Sequence, residues 1–126
     1  MPKILVVDDE EKIRDILVKF LEKSGFEIIQ APGGREAIET LRQDNNPIDL
    51  MVLDMKMPKV TGADVLREKS RLGKSFPAIL LTGSVDAEKY LMGLKEVGLT
   101  EEDICYKPVD LFVLLEMIKK RLGIAP

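Results

Sequence analysis

Apolar and polar positions along the chain alternate between two periods. Lys3-Ile4-Leu5-Val6-Val7 is a short run rich in β-branched side chains, and it stops at Asp8-Asp9-Glu10. Ile13, Ile16, Leu17, Phe20 and Leu21 then fall at i, i+3, i+4, i+7 and i+8, the spacing of one helix face, and Ser24-Gly25 ends that helix. Phe26 to Gln30 reads as a second strand. Pro32-Gly33-Gly34 is a turn, Ala37, Ile38 and Leu41 mark a second helix, and Asn45-Asn46-Pro47 closes the unit. A third strand, Leu50-Met51-Val52-Leu53, finishes on one carboxylate, Asp54. A loop with Met57-Pro58 and Thr61-Gly62 leads to a helix from about Ala63 to Leu72, with Val65 and Leu66 inward. Pro77 to Leu81 is a fourth strand ending at Thr82-Gly83-Ser84. Tyr90, Leu91, Leu94 and Val97 mark a further helix ended by Gly98. Asp103 to Tyr106 is a fifth strand before Lys107-Pro108, and Leu111, Leu114, Leu115, Ile118 and Leu122 line the last helix.

Strand and helix thus alternate five times. Short apolar strands joined by crossover helices predict an α/β fold: a five-stranded parallel sheet, (βα)5 and doubly wound, with helices on both faces. A length of 126 residues suits one domain with one core, spanning 1–126. No apolar run approaches the roughly 20 residues that cross a bilayer. The N-terminus, MPKILVVDDE, lacks a secretory cleavage site, so a cytoplasmic location is the expectation. The net charge of −3 argues against a broad nucleic-acid-binding face. Histidine is absent, which excludes Ser-His-Asp and Cys-His catalysis, histidine-ligated zinc and a phosphohistidine on this chain. The single cysteine, Cys105, can form neither an internal disulfide nor a thiolate cluster, and it reads as a small buried residue.

In open parallel α/β sheets, ligands bind beyond the carboxyl ends of the strands. Polar residues collect there in this sequence: Asp8 and Asp9 after strand one, Asp54 at strand three, Thr82 at strand four and Lys107 after strand five. Strand two offers no comparable group, as suits an edge or flanking position. Each residue alone has a plain structural reading: a helix cap, a turn acceptor, another cap, a surface lysine. Together they differ. Three carboxylates on one edge repel unless a cation sits among them, and hard oxygen ligands suit Mg²⁺ or Mn²⁺. A lysine and a hydroxyl opposite can hold a phosphoryl group. These are the parts for phosphoryl transfer to a carboxylate, with Asp54 as nucleophile.

The motifs ILVVDDE, VLDMKMPKVTG, ILLTGS and YKPVD, in that order, resemble those of the receiver domain of two-component response regulators, from Lys3 to about Leu122. The resemblance implies a flavodoxin-like receiver fold, with Asp54 as phosphoacceptor, Asp9 as a direct Mg²⁺ ligand and Asp8 a water-mediated one. The backbone carbonyl of Lys56 would complete the metal shell. Thr82 would hydrogen-bond the phosphoryl and Lys107 would pair with it. Pro108 would hold the turn, often through a cis peptide, and Pro58 and Gly62 match the loop that shapes the acid's surroundings. The implied donor is a histidine kinase or phosphotransfer protein. The implied behaviour is a phosphorylation-driven switch toward a protein target, as a monomer or weak dimer, with no direct nucleic-acid contact and no membrane insertion.

Two features depart from the family pattern. Receivers usually carry Tyr or Phe three residues before the lysine, where this chain has Ile104; Tyr106 lies one residue before it. GLTEEDICYK, Gly98 to Lys107, is also longer than the usual connection by about two residues. These departures keep a second expectation in view, a receiver-like interaction module that does not use phosphate. An aspartate-nucleophile phosphatase fits poorly, because such enzymes often place an acid two residues after the nucleophile and here that residue is Lys56. Phe112, Val113 and Met117 widen the apolar stripe of the last helix, as added core contact or as a partner face. No effector domain follows in the sequence, so the chain reads as a stand-alone regulator or as the receiver of a longer protein.

Overall fold

A computed structural model of the chain describes residues 1–83, 89 and 93–124. Five strands form one sheet: β1 (Lys3–Val7), β2 (Glu27–Ala31), β3 (Leu50–Asp54), β4 (Ala78–Thr82) and β5 (Ile104–Tyr106). The order is β2-β1-β3-β4-β5 and every pairing is parallel. The chain steps one way from β1 to β2 and the other way from β1 to β3, so the switch point lies between β1 and β3. The expected doubly wound α/β sheet is what forms, with β2 at an edge.

Helices whose full extent lies among the described residues are α1 (Glu11–Lys23), α2 (Gly34–Leu41), α3 (Gly62–Arg71) and α4 (Leu111–Leu122). Alternation along the strands sorts the core into two layers. Leu5, Val7, Met51, Leu53, Leu80 and Ile104 pack with Ala37 and Leu41 of α2 and Val65 and Leu66 of α3. Ile4, Val6, Leu50, Val52, Ile79, Leu81 and Cys105 face the opposite way, onto Leu17, Val18 and Leu21 of α1 and Leu114 and Ile118 of α4. Both faces are covered, which is why the strands read as continuous apolar runs. Tyr90, Leu91 and Ser84 lie outside the described residues. Residues 93–96 are helical, and Leu94 joins the α2–α3 layer with Val97 packed against it.

Local chemistry fixes the element ends. Gly25, in the left-handed region at φ +97°, follows α1, and Gly123 at φ +69° follows α4. Thr61 and Asp64 form a reciprocal capping box on α3: the Thr61 hydroxyl accepts from the Asp64 N–H at 3.3 Å, and the Asp64 carboxylate accepts from the Thr61 N–H at 2.9 Å. Asp110 caps α4 by accepting the N–H groups of Phe112 and Val113 at 2.9 and 3.2 Å. β5 starts one residue later than the sequence pattern suggests. Asp103 belongs to a 3-10 turn, Glu101–Asp103, where its carboxylate accepts the Thr100 N–H at 2.9 Å and pairs with Arg121 of α4 at 2.7 Å. Met117 packs against the core, while Phe112 is 73% exposed and Val113 is also exposed. Phe112 meets Phe20 of α1 edge-on at 5.7 Å.

Candidate functional site

β1 ends at Val7, and the next residues turn away from the sheet to start α1. Asp8 is buried, 1% exposed, and Asp9 is exposed. The Asp8 N–H donates to the Ala31 carbonyl of β2 at 3.2 Å, and the Asp8 carboxylate accepts the Glu10 N–H at 2.9 Å. Glu10 occupies the cap position of α1 without a side-chain cap, so the acid turn itself supplies the acceptor there.

Asp54 is the last residue of β3 and also 1% exposed. Its Oδ1 accepts the Lys56 N–H at 3.1 Å and Nζ of Lys107 at 3.0 Å. Carboxylate oxygens of Asp8, Asp9 and Asp54 all lie within 4.8 Å of one another. The loop after Asp54 is held close to it. The Gly62 N–H donates to the Met55 carbonyl at 3.2 Å, and a Cβ on Gly62 would sit 2.6 Å from Met55 Cα and 3.0 Å from the Asp54 carbonyl oxygen. Only glycine lets α3 begin this near the strand end. Lys59 in the same loop takes a left-handed turn at φ +65°.

Thr82, at the end of β4, is buried, and among the described residues its hydroxyl makes one marginal contact, to the Gly83 carbonyl at 3.4 Å. The Lys107 N–H donates to the Thr82 carbonyl at 2.9 Å, which continues the β4–β5 ladder by one rung and delivers the lysine to the edge. The Lys107–Pro108 peptide is cis, as the resemblance implied. The structure therefore brings Asp8, Asp9, Asp54 and Lys107 together at one edge, with Thr82 on the neighbouring strand. A groove of about 330 Å³ opens beside them, lined by Asp8, Ile13, Ile16, Lys107, Pro108 and Leu111 among others.

The electrostatics follow from this crowding. Burial pushes the Asp8 carboxyl up to about 6; the Glu10 N–H opposes that shift, the nearby Asp54 charge adds to it, and Lys107 offsets part of it. One ammonium faces three carboxylates, so the edge carries excess negative charge. The donors are all oxygens, clustered and free of thiolate or imidazole, which is the donor set a hard divalent ion prefers. The residues present fit a Mg²⁺-class ion.

At the usual aromatic position Ile104 is buried in the α2–α3 layer, in register with Leu80. Tyr106 is in register with Thr82 and reaches outward, and its hydroxyl donates to Glu101 at 3.0 Å. Arg14 of α1 also reaches this edge. Its guanidinium donates to the Asp8 carbonyl at 2.8 Å, and nothing in an arginine on a helix flank announces such a contact.

The response regulator receiver domain model matches residues 4–119. A probable transcriptional regulatory protein of Picosynechococcus sp. is 35% identical over 123 residues, covering 94% of this chain and 47% of that protein. The response regulator SaeR of Staphylococcus aureus is 36% identical over 108 residues, covering 86% of this chain and 45% of its own length. The chain thus spans about half the length of the curated relatives it matches. A receiver domain protein from Clostridium thermocellum superposes with a TM-score of 0.86 at 32% identity, covering 98% of this chain and 95% of that one. Fold, strand-end chemistry and these likenesses agree: the chain belongs to the response regulator receiver domain family.

Proposed function

We propose that Asp54 is the phosphoacceptor of this receiver, that Asp8, Asp9, Asp54 and the Lys56 carbonyl hold a Mg²⁺ or Mn²⁺ ion, and that Thr82 and Lys107 bind the transferred group. The observation that carries this reading is the placement of Asp54. It is a buried carboxylate on a rigid strand end, with Lys107 Nζ at 3.0 Å and two further carboxylates within 4.8 Å. When bound, the ion would offset the carboxylate repulsion and draw charge from the phosphoryl oxygens.

The step is a displacement at phosphorus. A carboxylate oxygen of Asp54 forms the new P–O bond as the P–N bond to a donor phosphohistidine breaks and its electron pair returns to the imidazole. The attacking atom is a carboxylate oxygen, so the step calls for no general base. The Lys107 ammonium can leave Asp54 Oδ1 for a phosphoryl oxygen, and the Thr82 hydroxyl, in a marginal contact with the Gly83 carbonyl, can donate to another. A phosphoryl group held there favours one of two conformations and so signals to a protein target. The donor is a histidine kinase or phosphotransfer protein. Residues 1–126 act as one receiver domain in the cytoplasm, as a monomer or weak dimer. The same site promotes hydrolysis of its own aspartyl phosphate.

Intact mass after incubation with a small phosphodonor tests this, with Mg²⁺ or with EDTA, on wild type and Asp54→Asn. The expected result is a Mg²⁺-dependent gain of one phosphoryl that the substitution removes. No gain, including with a cognate kinase, would favour a receiver-like module that does not use phosphate.

A further inference from the structure

The turn Asp8-Asp9-Glu10 carries two of the three clustered carboxylates, and strand β1 ends just before it at Val7. Two of its polar groups are tied by backbone groups, the Asp8 N–H to the Ala31 carbonyl of β2 and the Asp8 carboxylate to the Glu10 N–H. The Asp8 carbonyl is tied differently, by Nη1 of Arg14 at 2.8 Å. Arg14 is itself braced. Its backbone N–H donates to the Glu10 carbonyl at 2.9 Å, and its Nε donates to Oε1 of Gln30 on β2 at 3.2 Å. One half-buried guanidinium thus spans the acid turn, the first turn of α1 and the edge strand. Among the described residues Arg14 makes no ion pair.

We infer that Arg14 is a positioning residue for the divalent-metal site: its fork across the Asp8 carbonyl and Gln30 holds the Asp8-Asp9 turn in ligating geometry. This rests on the metal-site reading above. Two effects of Arg14 have opposite signs. Its positive charge, near the carboxylates, opposes a cation. Its tether favours one, because ligands held in place lose less freedom when the ion binds. Lysine keeps the charge but loses the planar fork.

The opposite signs make the inference testable by Mn²⁺ affinity, read from the EPR signal of the free ion on the whole chain at a temperature well below unfolding. Arg14→Gln and Arg14→Lys should both weaken Mn²⁺ binding, by about 10-fold, the lower end of what lost support of metal ligands costs. Gln30→Ala, which touches no ligand, should weaken it in the same direction by less, and adding it to Arg14→Gln should cost nothing further. The rate of labelling by a small phosphodonor should recover in Arg14→Gln at saturating Mg²⁺. Melting in EDTA reads any purely structural role, which would lower the midpoint without moving Mn²⁺ affinity. Unchanged or tighter Mn²⁺ binding in Arg14→Gln, or no change in Gln30→Ala should Arg14 variants fail to fold, would overturn the inference while leaving the metal site standing. A wild-type chain that binds no Mn²⁺ would remove the site and this role with it.

Discussion

Asp54 and Lys107 are separable by what each is asked to do. Asp54→Asn keeps an acceptor for the Lys56 N–H and relieves repulsion with Asp8 and Asp9, while Lys107, 36% exposed, can turn to water. The expected result is complete loss of labelling with a melting midpoint unchanged or slightly raised; labelling that persists would refute the assignment. Lys107→Ala removes a cation from beside the carboxylates, so Mg²⁺ affinity should hold or rise. The chain's spectroscopic response to a tetrahedral phosphoryl analogue should weaken; a normal response would show that Lys107 is not the phosphoryl partner. Asp8, Asp9, Asp54, Thr82 and Lys107 were legible in the sequence because each follows an apolar run that had to be a strand, and parallel strands share one carboxyl edge. Arg14, Gln30 and Glu101 were not. Arg14 acts through a main-chain carbonyl, and Gln30 and Glu101 act through partners chosen by tertiary placement, which leaves no residue-type pattern to read.

Elements were legible where one period dominated. Lys3 to Val7 came out with its observed limits, whereas β2 and β4 begin and end one residue later than the runs suggest, because hydrogen bonding across the sheet, not apolar content, sets their last rung. Asp103 read as strand because it abuts Ile104. Its carboxylate instead closes a turn with Thr100, a T-x-x-D signal that the apolar pattern masks. The capping box on α3 allows a quantitative test. Asp64→Ala should cost about 1 kcal/mol near neutral pH, seen in urea unfolding. The Thr61 N–H, then Arg67, hold the Asp64 carboxyl below its usual 3.8. Its folded value is depressed, so its contribution is present above 3.8 and is lost as pH falls through the lower folded value. The gap between wild type and Asp64→Ala should therefore close in strong acid. Gly62→Ala should be worse, by about 1–3 kcal/mol, because a Cβ there would meet Met55 Cα at 2.6 Å and backbone must move.

At the scale of the whole molecule, the core and the candidate site occupy different places. The two apolar layers lie along the body of the sheet, and the charged cluster sits beyond its carboxyl edge. The fold should then form without metal, and metal should add stability only by binding the native state. At a Mg²⁺ concentration of about 100 times its dissociation constant the gain is roughly 2.7 kcal/mol. For a chain of 126 residues that is a rise of about 10 °C in the melting midpoint, reversed by EDTA. Asp9 isolates the effect, because it is an exposed member of the cluster and takes no part in either core layer. Asp9→Asn should leave the midpoint in EDTA unchanged or slightly higher, since one like charge is gone, and should abolish most of the Mg²⁺ increment. A wild-type midpoint indifferent to Mg²⁺ would show that the three carboxylates hold no ion. An Asp9→Asn chain that melts early in EDTA would show instead that the acid turn helps to hold the fold together, and that the separation between core and site is less complete than the packing implies.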